Sequence, residues 1–125
     1  YPGFRIIKSH STFNPYYKNN VYLIRNPNEV LRSYYRFDQH YGNYKYSYVD
    51  FVKDKQFGID AWVRHVQSWL GQKYCQVHLL TYEGLYNDIN VELLNLFNNI
   101  GMNVDEEILN TAIELSNIWN YTNEI

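Results

Sequence analysis

Val21-Tyr22-Leu23-Ile24-Arg25-Asn26-Pro27-Asn28-Glu29-Val30-Leu31-Arg32-Ser33-Tyr34-Tyr35-Arg36-Phe37 is the stretch that decides the fold. Its first four residues are apolar or aromatic and rich in β-formers, as in a short buried strand. The chain then switches to helix chemistry. Asn26 suits an N-cap, Pro27 fits the first turn, and Glu29 stands three residues after the cap. Val30, Leu31, Tyr34, Tyr35 and Phe37 recur at helical spacing, and the helix is expected to fray before Gly42. A strand running straight into a helix is the unit of an α/β layer.

The same alternation continues on both sides. Upstream, Phe4–Ile7 is short, apolar and partly β-branched, and it reads as another buried strand. Downstream, residues 59–70 carry Trp62, Val66, Trp69 and Leu70 at three- and four-residue spacing, with Gly71 placed to close the helix. Residues 77–80 read as a third strand. Residues 89–100 form an amphipathic helix stopped by Gly101, and residues 105–115 form a last helix with acids in its first turn. Strands interleaved with helices predict parallel strands flanked by helices. The 14 Tyr and 16 Asn are scattered without a repeat, which fits coding bias. Tyr41, Tyr44, Tyr46 and Tyr48 cluster with Gly42 and Asn43 as a predicted loop, either a binding surface or a surface without a role.

Length and charge narrow the classes. With 125 residues, the chain suits one domain. It is 46% hydrophobic and 19% charged, a globular and not a disordered composition. No apolar run approaches the roughly 18–20 residues that span a bilayer. Cys75 is the single cysteine, so no internal disulfide forms, and no Cys/His cluster has zinc spacing. A reducing, cytoplasmic location is the expectation from this cysteine and from the lack of a leader pattern. The formal net charge of −2 hides a division. All 11 Lys and Arg lie between Arg5 and Lys73 against five acids, a balance of +6; from Tyr74 onward there are eight acids and no Lys or Arg, a balance of −8. Such asymmetry points to an anionic ligand on the first part. Nucleic acid is set aside, because the basic residues are spread over several elements and the pI is about 6.1.

Three segments could carry chemistry. Lys8 and His10 lie two apart at the end of the first predicted strand, where side chains two apart share a side. A fixed cation beside a group that titrates near neutrality could serve an anion and an acceptor proton; an ordinary strand-end Lys and His is the alternative. Arg25 ends the next strand, where a guanidinium can grip a phosphate bidentately beside a helix N-terminus. Ser33, about two turns into that helix, could add a hydroxyl. A surface arginine and a solvated serine are the alternative. Tyr82 follows the third strand and could stack on a flat ring or simply pack.

Taken together, these segments resemble the sulfotransferase family, the cytosolic-type enzymes and their bacterial relatives, from about Arg5 to about Asn117. Phe4-Arg5-Ile6-Ile7-Lys8-Ser9-His10 looks like the family's strand ending in Lys-Thr-His, with Ser9 replacing threonine. The stretch from Tyr22 to Phe37, with eight residues from Arg25 to Ser33, looks like its 3′-phosphate-binding segment. Phe57-Gly58, Trp62, His65-Val66 and Trp69 are similar to its Gly, His-Val and Trp segment. Tyr82-Glu83-Gly84-Leu85 resembles its Tyr-Glu-Asp-Leu element, with Gly84 in place of the acid.

The resemblance implies a P-loop-NTPase-like parallel sheet with flanking helices. It implies sulfuryl transfer from 3′-phosphoadenosine 5′-phosphosulfate (PAPS) to an acceptor hydroxyl or amine, with no metal. His10 would be the general base, and Lys8 would stabilise charge on the transferring group. Arg25 and Ser33 would bind the 3′-phosphate, Tyr82 would contact the adenine, and Phe37 would pack on the acceptor. The Thr-Ser-Phe element that helps hold the adenine would at best be reduced here to Leu115-Ser116-Asn117, with Ser116 as its counterpart. Trp62, His65 and Trp69 read as structural, His65 as a satisfied buried histidine.

The acceptor, small molecule or glycan, is not specified by these residues, and neither is the oligomeric state. The family's 5′-phosphosulfate loop and its Arg-Lys-Gly segment are absent from these 125 residues. The chain is therefore expected to be one partial sulfotransferase domain, residues 1–125, with little activity alone. A module that binds 3′-phosphoadenosine 5′-phosphate or a protein partner without catalysis is the alternative.

Overall fold

The structure is a computed structural model and describes residues 5–42 and 44–123, with side chains to residue 117. Its elements run β1 (Asn20–Ile24), α1 (Pro27–His40), α2 (Tyr48–Lys53), α3 (Ile59–Leu70), β2 (Val77–Thr81), α4 (Tyr82–Asn87), α5 (Ile89–Asn99) and α6 (Glu106–Asn123). β1 and β2 pair as a two-stranded parallel sheet, so the chain is α/β. By its contacts the chain forms two compact units. One contains the chain up to Lys18 with Pro27–Val77; the other contains Asn19–Asn26 with His78 onward.

The first unit is built around aromatic rings. Phe51 is completely buried, and Leu31 and Trp69 are nearly so. Tyr34 meets the Phe51 ring edge-on at 5.5 Å, Tyr44 meets it edge-on at 5.1 Å, and Phe57 stacks on it at 6.3 Å. These offset and edge-to-face contacts are the ones that ring quadrupoles favour. The Tyr35 hydroxyl donates to the Tyr46 carbonyl at 3.0 Å, and Gln39 donates to the Tyr44 carbonyl at 2.7 Å, which ties the 44–46 segment to α1. Burial, then the neighbouring Asp38 carboxylate, pushes the Tyr34 pKa up.

Short helices here are set by their caps. Ser47 accepts from the Asp50 N–H at 3.2 Å while Asp50 accepts from the Ser47 N–H at 3.3 Å, a reciprocal capping box that starts α2. Asp54 ends α2, and its carboxylate accepts from the Gln56 and Phe57 N–H groups to turn the chain towards α3. Gly58 begins α3 directly against the carbonyls that close α2. A Cβ there would lie 2.6 Å from the Asp54 oxygen and 2.7 Å from the Phe51 oxygen, and closer still to that of Val52. Only glycine permits that approach.

In the second unit Thr81 caps α4 by accepting from the Gly84 N–H, and Asp88 caps α5 by accepting from the Val91 N–H. Asp105 accepts from the Glu107 and Ile108 N–H groups and starts α6. Leu80 and Leu109 are buried. On the sheet, Val21 and Leu23 of β1 and Leu79 of β2 stay about half exposed.

Several expectations change. The predicted strand Phe4–Ile7 does not form: residues 5–7 have no strand structure, Ile6 and Ile7 are largely exposed, and Phe4 lies outside the described residues. A strand is stabilised by its neighbour, and among the described residues none lies beside this stretch to satisfy its N–H and C=O groups. Part of the predicted Tyr loop is a packed element, since Tyr44 joins the core and Tyr48 opens α2; Asn43 lies outside the described residues. The helix after Tyr82 was not anticipated, and α6 runs on to Asn123 because no glycine or proline stops it at Leu115.

Phe51→Ala is expected to destabilise the chain by about 3–5 kcal/mol, the usual cost of emptying a buried phenylalanine site. A urea unfolding midpoint unchanged within error would contradict this packing.

Candidate functional site

The carboxyl ends of parallel strands are where α/β sheets place ligands, because helix N-termini and loop side chains converge there. β1 hands over to Arg25 and Asn26, and β2 hands over to Tyr82 and Glu83 in the first turn of α4. Parallel pairing therefore brings together residues more than fifty positions apart. The Arg25 guanidinium carbon lies 4.1 Å from the centre of the Tyr82 ring, a cation–π contact. Arg25 is half-buried and Tyr82 is 42% exposed, so the pair is partly accessible to solvent.

Glu83 fixes the backbone beneath this pair. Its Oε1 accepts from the Asn26 N–H at 2.9 Å. That hydrogen bond, a second from its own N–H and the nearby Arg25 charge hold the Glu83 carboxyl below its usual range, against a smaller upward effect of burial. The sequence reading assigned Glu83 no role. A clue was present, since an acid in the first turn after a strand can bond the N–H groups of a neighbouring strand's end.

The remaining predicted residues divide between the two units. Ser116 is exposed on α6, in the unit of Arg25 and Tyr82. Lys8, His10, Ser33 and Phe37 belong to the other unit. Ser33 and Phe37 are exposed and sit four residues apart on α1, hence on one side of the helix. The Phe37 ring packs on Tyr41 at 4.5 Å.

Lys8 and His10 are exposed, in a segment that is not the expected extended strand. The Ser9 hydroxyl accepts from the Ser11 N–H at 3.1 Å and shares a 2.7 Å hydrogen bond with the Ser11 hydroxyl. This serine turn bends the chain around His10. Without a strand at residues 5–10, strand alternation does not set which way Lys8 and His10 face. Beyond the turn the backbone is held by α3, from which His65, Ser68 and Trp69 bond to residues 10–13. Among the described residues no cluster of three or more His, Cys, Asp or Glu comes together as a metal site. No helix among them is long and apolar enough to cross a membrane.

The class that the parallel sheet and its flanking helices define is an α/β domain. The family model described as a sulfotransferase domain matches residues 1–123, and the chain belongs to the sulfotransferase family. It is 29% identical over 124 residues to sulfotransferase 4A1 of Mus musculus and equally to that of Rattus norvegicus, in each case covering 88% of this chain and 43% of the relative. It is 28% identical to sulfotransferase 4A1 of Homo sapiens over the same share. The chain thus spans less than half the length of these curated relatives. No solved structure matches it significantly.

The Glu83 geometry carries a sign. A carboxyl with a depressed pKa contributes its stabilising contact above the ordinary carboxylate range and loses it only as pH falls through the lowered value. In a carbon-detected NMR titration, Glu83 is expected to titrate below the ordinary glutamate value of 4.5, and Arg25→Gln should move its midpoint upward. An ordinary midpoint would mean that the Asn26 contact does not persist in solution.

Proposed function

We propose that the protein transfers a sulfuryl group from PAPS to an acceptor hydroxyl or amine, on a P-loop-NTPase-like sheet. The observation that carries the reading is the pair at the strand ends, Arg25 over Tyr82, with its backbone tied by Glu83 to Asn26. A fixed guanidinium suits a phosphate, and an adjacent aromatic ring suits a purine. Both are parts of the donor. Family membership supports transferase chemistry of this kind.

Within this reading Arg25 and Ser33 bind the 3′-phosphate, Tyr82 contacts the adenine, and Ser116 adds a hydroxyl at the base. Lys8 neutralises charge growing on the sulfuryl group and on the bridging oxygen. His10 takes the acceptor's proton as the acceptor oxygen or nitrogen bonds to sulfur. The bond from sulfur to the bridging oxygen breaks, and 3′-phosphoadenosine 5′-phosphate leaves with that oxygen. Phe37, exposed on α1, offers a flat apolar surface to a small acceptor.

Two measurements test this. In calorimetric titration of the natural full-length protein with 3′-phosphoadenosine 5′-phosphate, Arg25→Ala should weaken binding by on the order of 10–100-fold. That range corresponds to a charged hydrogen-bonding group worth roughly 1.5–3 kcal/mol. With labelled donor, His10→Ala should lower turnover by about 10²–10⁴-fold, the usual share of a general base. Nucleotide binding without turnover would instead favour a non-catalytic binding module. Absence of both would overturn the reading.

A further inference from the structure

One face of α3 is occupied in a way that the proposed chemistry does not by itself require. His65, Ser68 and Trp69 lie at positions i, i+3 and i+4, so they stand together on one side of the helix. Each bonds to the backbone of the segment that carries His10. His65 Nε2 lies 3.2 Å from the His10 carbonyl oxygen and 3.0 Å from that of Ser11. Trp69 Nε1–H donates to the same Ser11 oxygen at 3.1 Å. The Phe13 N–H donates to Ser68 Oγ at 3.2 Å, and Ser68 in turn donates to the His65 carbonyl at 2.8 Å.

The chemistry of these partners fixes the histidine. Carbonyl oxygens only accept, so the nitrogen facing two of them must carry the proton. His65 is therefore protonated at Nε2, which donates to both oxygens. The Ser11 oxygen, with two lone pairs, receives two donors and is saturated. Packing reinforces the grip. The Phe13 ring meets Trp69 edge-on at 5.4 Å, and the Tyr17 ring stacks on Trp69 with centres 6.3 Å apart. Ahead of the grip, the Ser9–Ser11 turn closes the chain around His10. His10 thus has an exposed side chain on a backbone held at its own carbonyl, at Ser11 and at Phe13.

We infer that His65 is a positioning residue: with Ser68 and Trp69 it clamps residues 10–13 to α3 and so sets where the His10 imidazole stands. This rests on the proposed role of His10 as the base. A base misplaced by about 1 Å can cost on the order of 10²-fold in rate, so a clamp on its own backbone bears directly on turnover.

The test compares His65→Leu, which removes the donor, with His65→Gln, whose amide N–H₂ reaches the position of Nε2. In the natural full-length protein His65→Leu should lower kcat by roughly 10–100-fold with the donor KM little changed. His65→Gln should recover most of that loss. Selective ¹⁵N-histidine NMR should show His65 protonated at Nε2 and not at Nδ1 alone. The His10 ring signals should move in His65→Leu and return in His65→Gln. An Nδ1-protonated His65, unmoved His10 signals, or a glutamine variant no better than the leucine one would overturn the clamp. Unchanged turnover in His10→Ala would sink the base assignment instead, and the spectra would then decide the clamp alone.

Discussion

The charged end of the sheet depends on β1 lying parallel to β2. Pairing sets Arg25 and Tyr82, neighbours in space only, at the same end of two adjacent strands. The hydrogen bond from the Asn26 N–H to Glu83 then joins the two chain segments just past the sheet, where ladder bonds have run out. A carboxylate is an apt choice for that junction. It satisfies a backbone donor that the strand can no longer satisfy, and it balances part of the guanidinium's charge. The site is thus a product of topology first and of side-chain chemistry second.

Around residues 27–77 the organising constraint is different. Phe51 sits on a helix of only six residues, too short to be stable by propensity. What holds it is the capping box at Ser47 and the rings of Tyr34, Tyr44 and Phe57. The close approach of Gly58 lets α3 start where α2 ends, without a long connection. α3 then has two duties. Its buried Trp69 fills the unit, and the Trp69 indole N–H together with His65 and Ser68 reaches the 10–13 backbone.

Much of this was legible in the residues. The Val21–Phe37 stretch announced its strand and helix through β-rich residues, Pro27 and the spacing of Leu31, Tyr34 and Tyr35, and the helix from Ile59 to Leu70 followed from its apolar period. Long periodic elements average over many residues, so local sequence suffices. α2 and α4 span less than two turns and offer no period; their signatures were single capping residues, Ser47 and Thr81, inside segments dominated by tyrosine or by a strand ending. The predicted strand at Phe4–Ile7 failed for the opposite reason. Its apolar, β-branched residues satisfy local propensity, but a strand is a relation between two segments. The candidate site shows the same limit. Arg25 and Tyr82 could each be singled out from its place after a strand. Their contact, the Glu83 tie and the α3 grip are non-local and are absent from any window of sequence.

The grip of α3 has a bearing on how the protein behaves among copies of itself. Ile6 and Ile7 are exposed and β-branched, the kind of pair on which chains stack edge to edge. Such stacking spreads only through a row of unused N–H and C=O groups. Directly downstream, the His10 and Ser11 carbonyls and the Phe13 N–H are already taken by side chains of α3, and the Ser11 N–H by Ser9. An intermolecular ladder begun at the isoleucines and running downstream therefore meets occupied backbone groups at residues 10–13, held by the same bonds that tie this segment to α3.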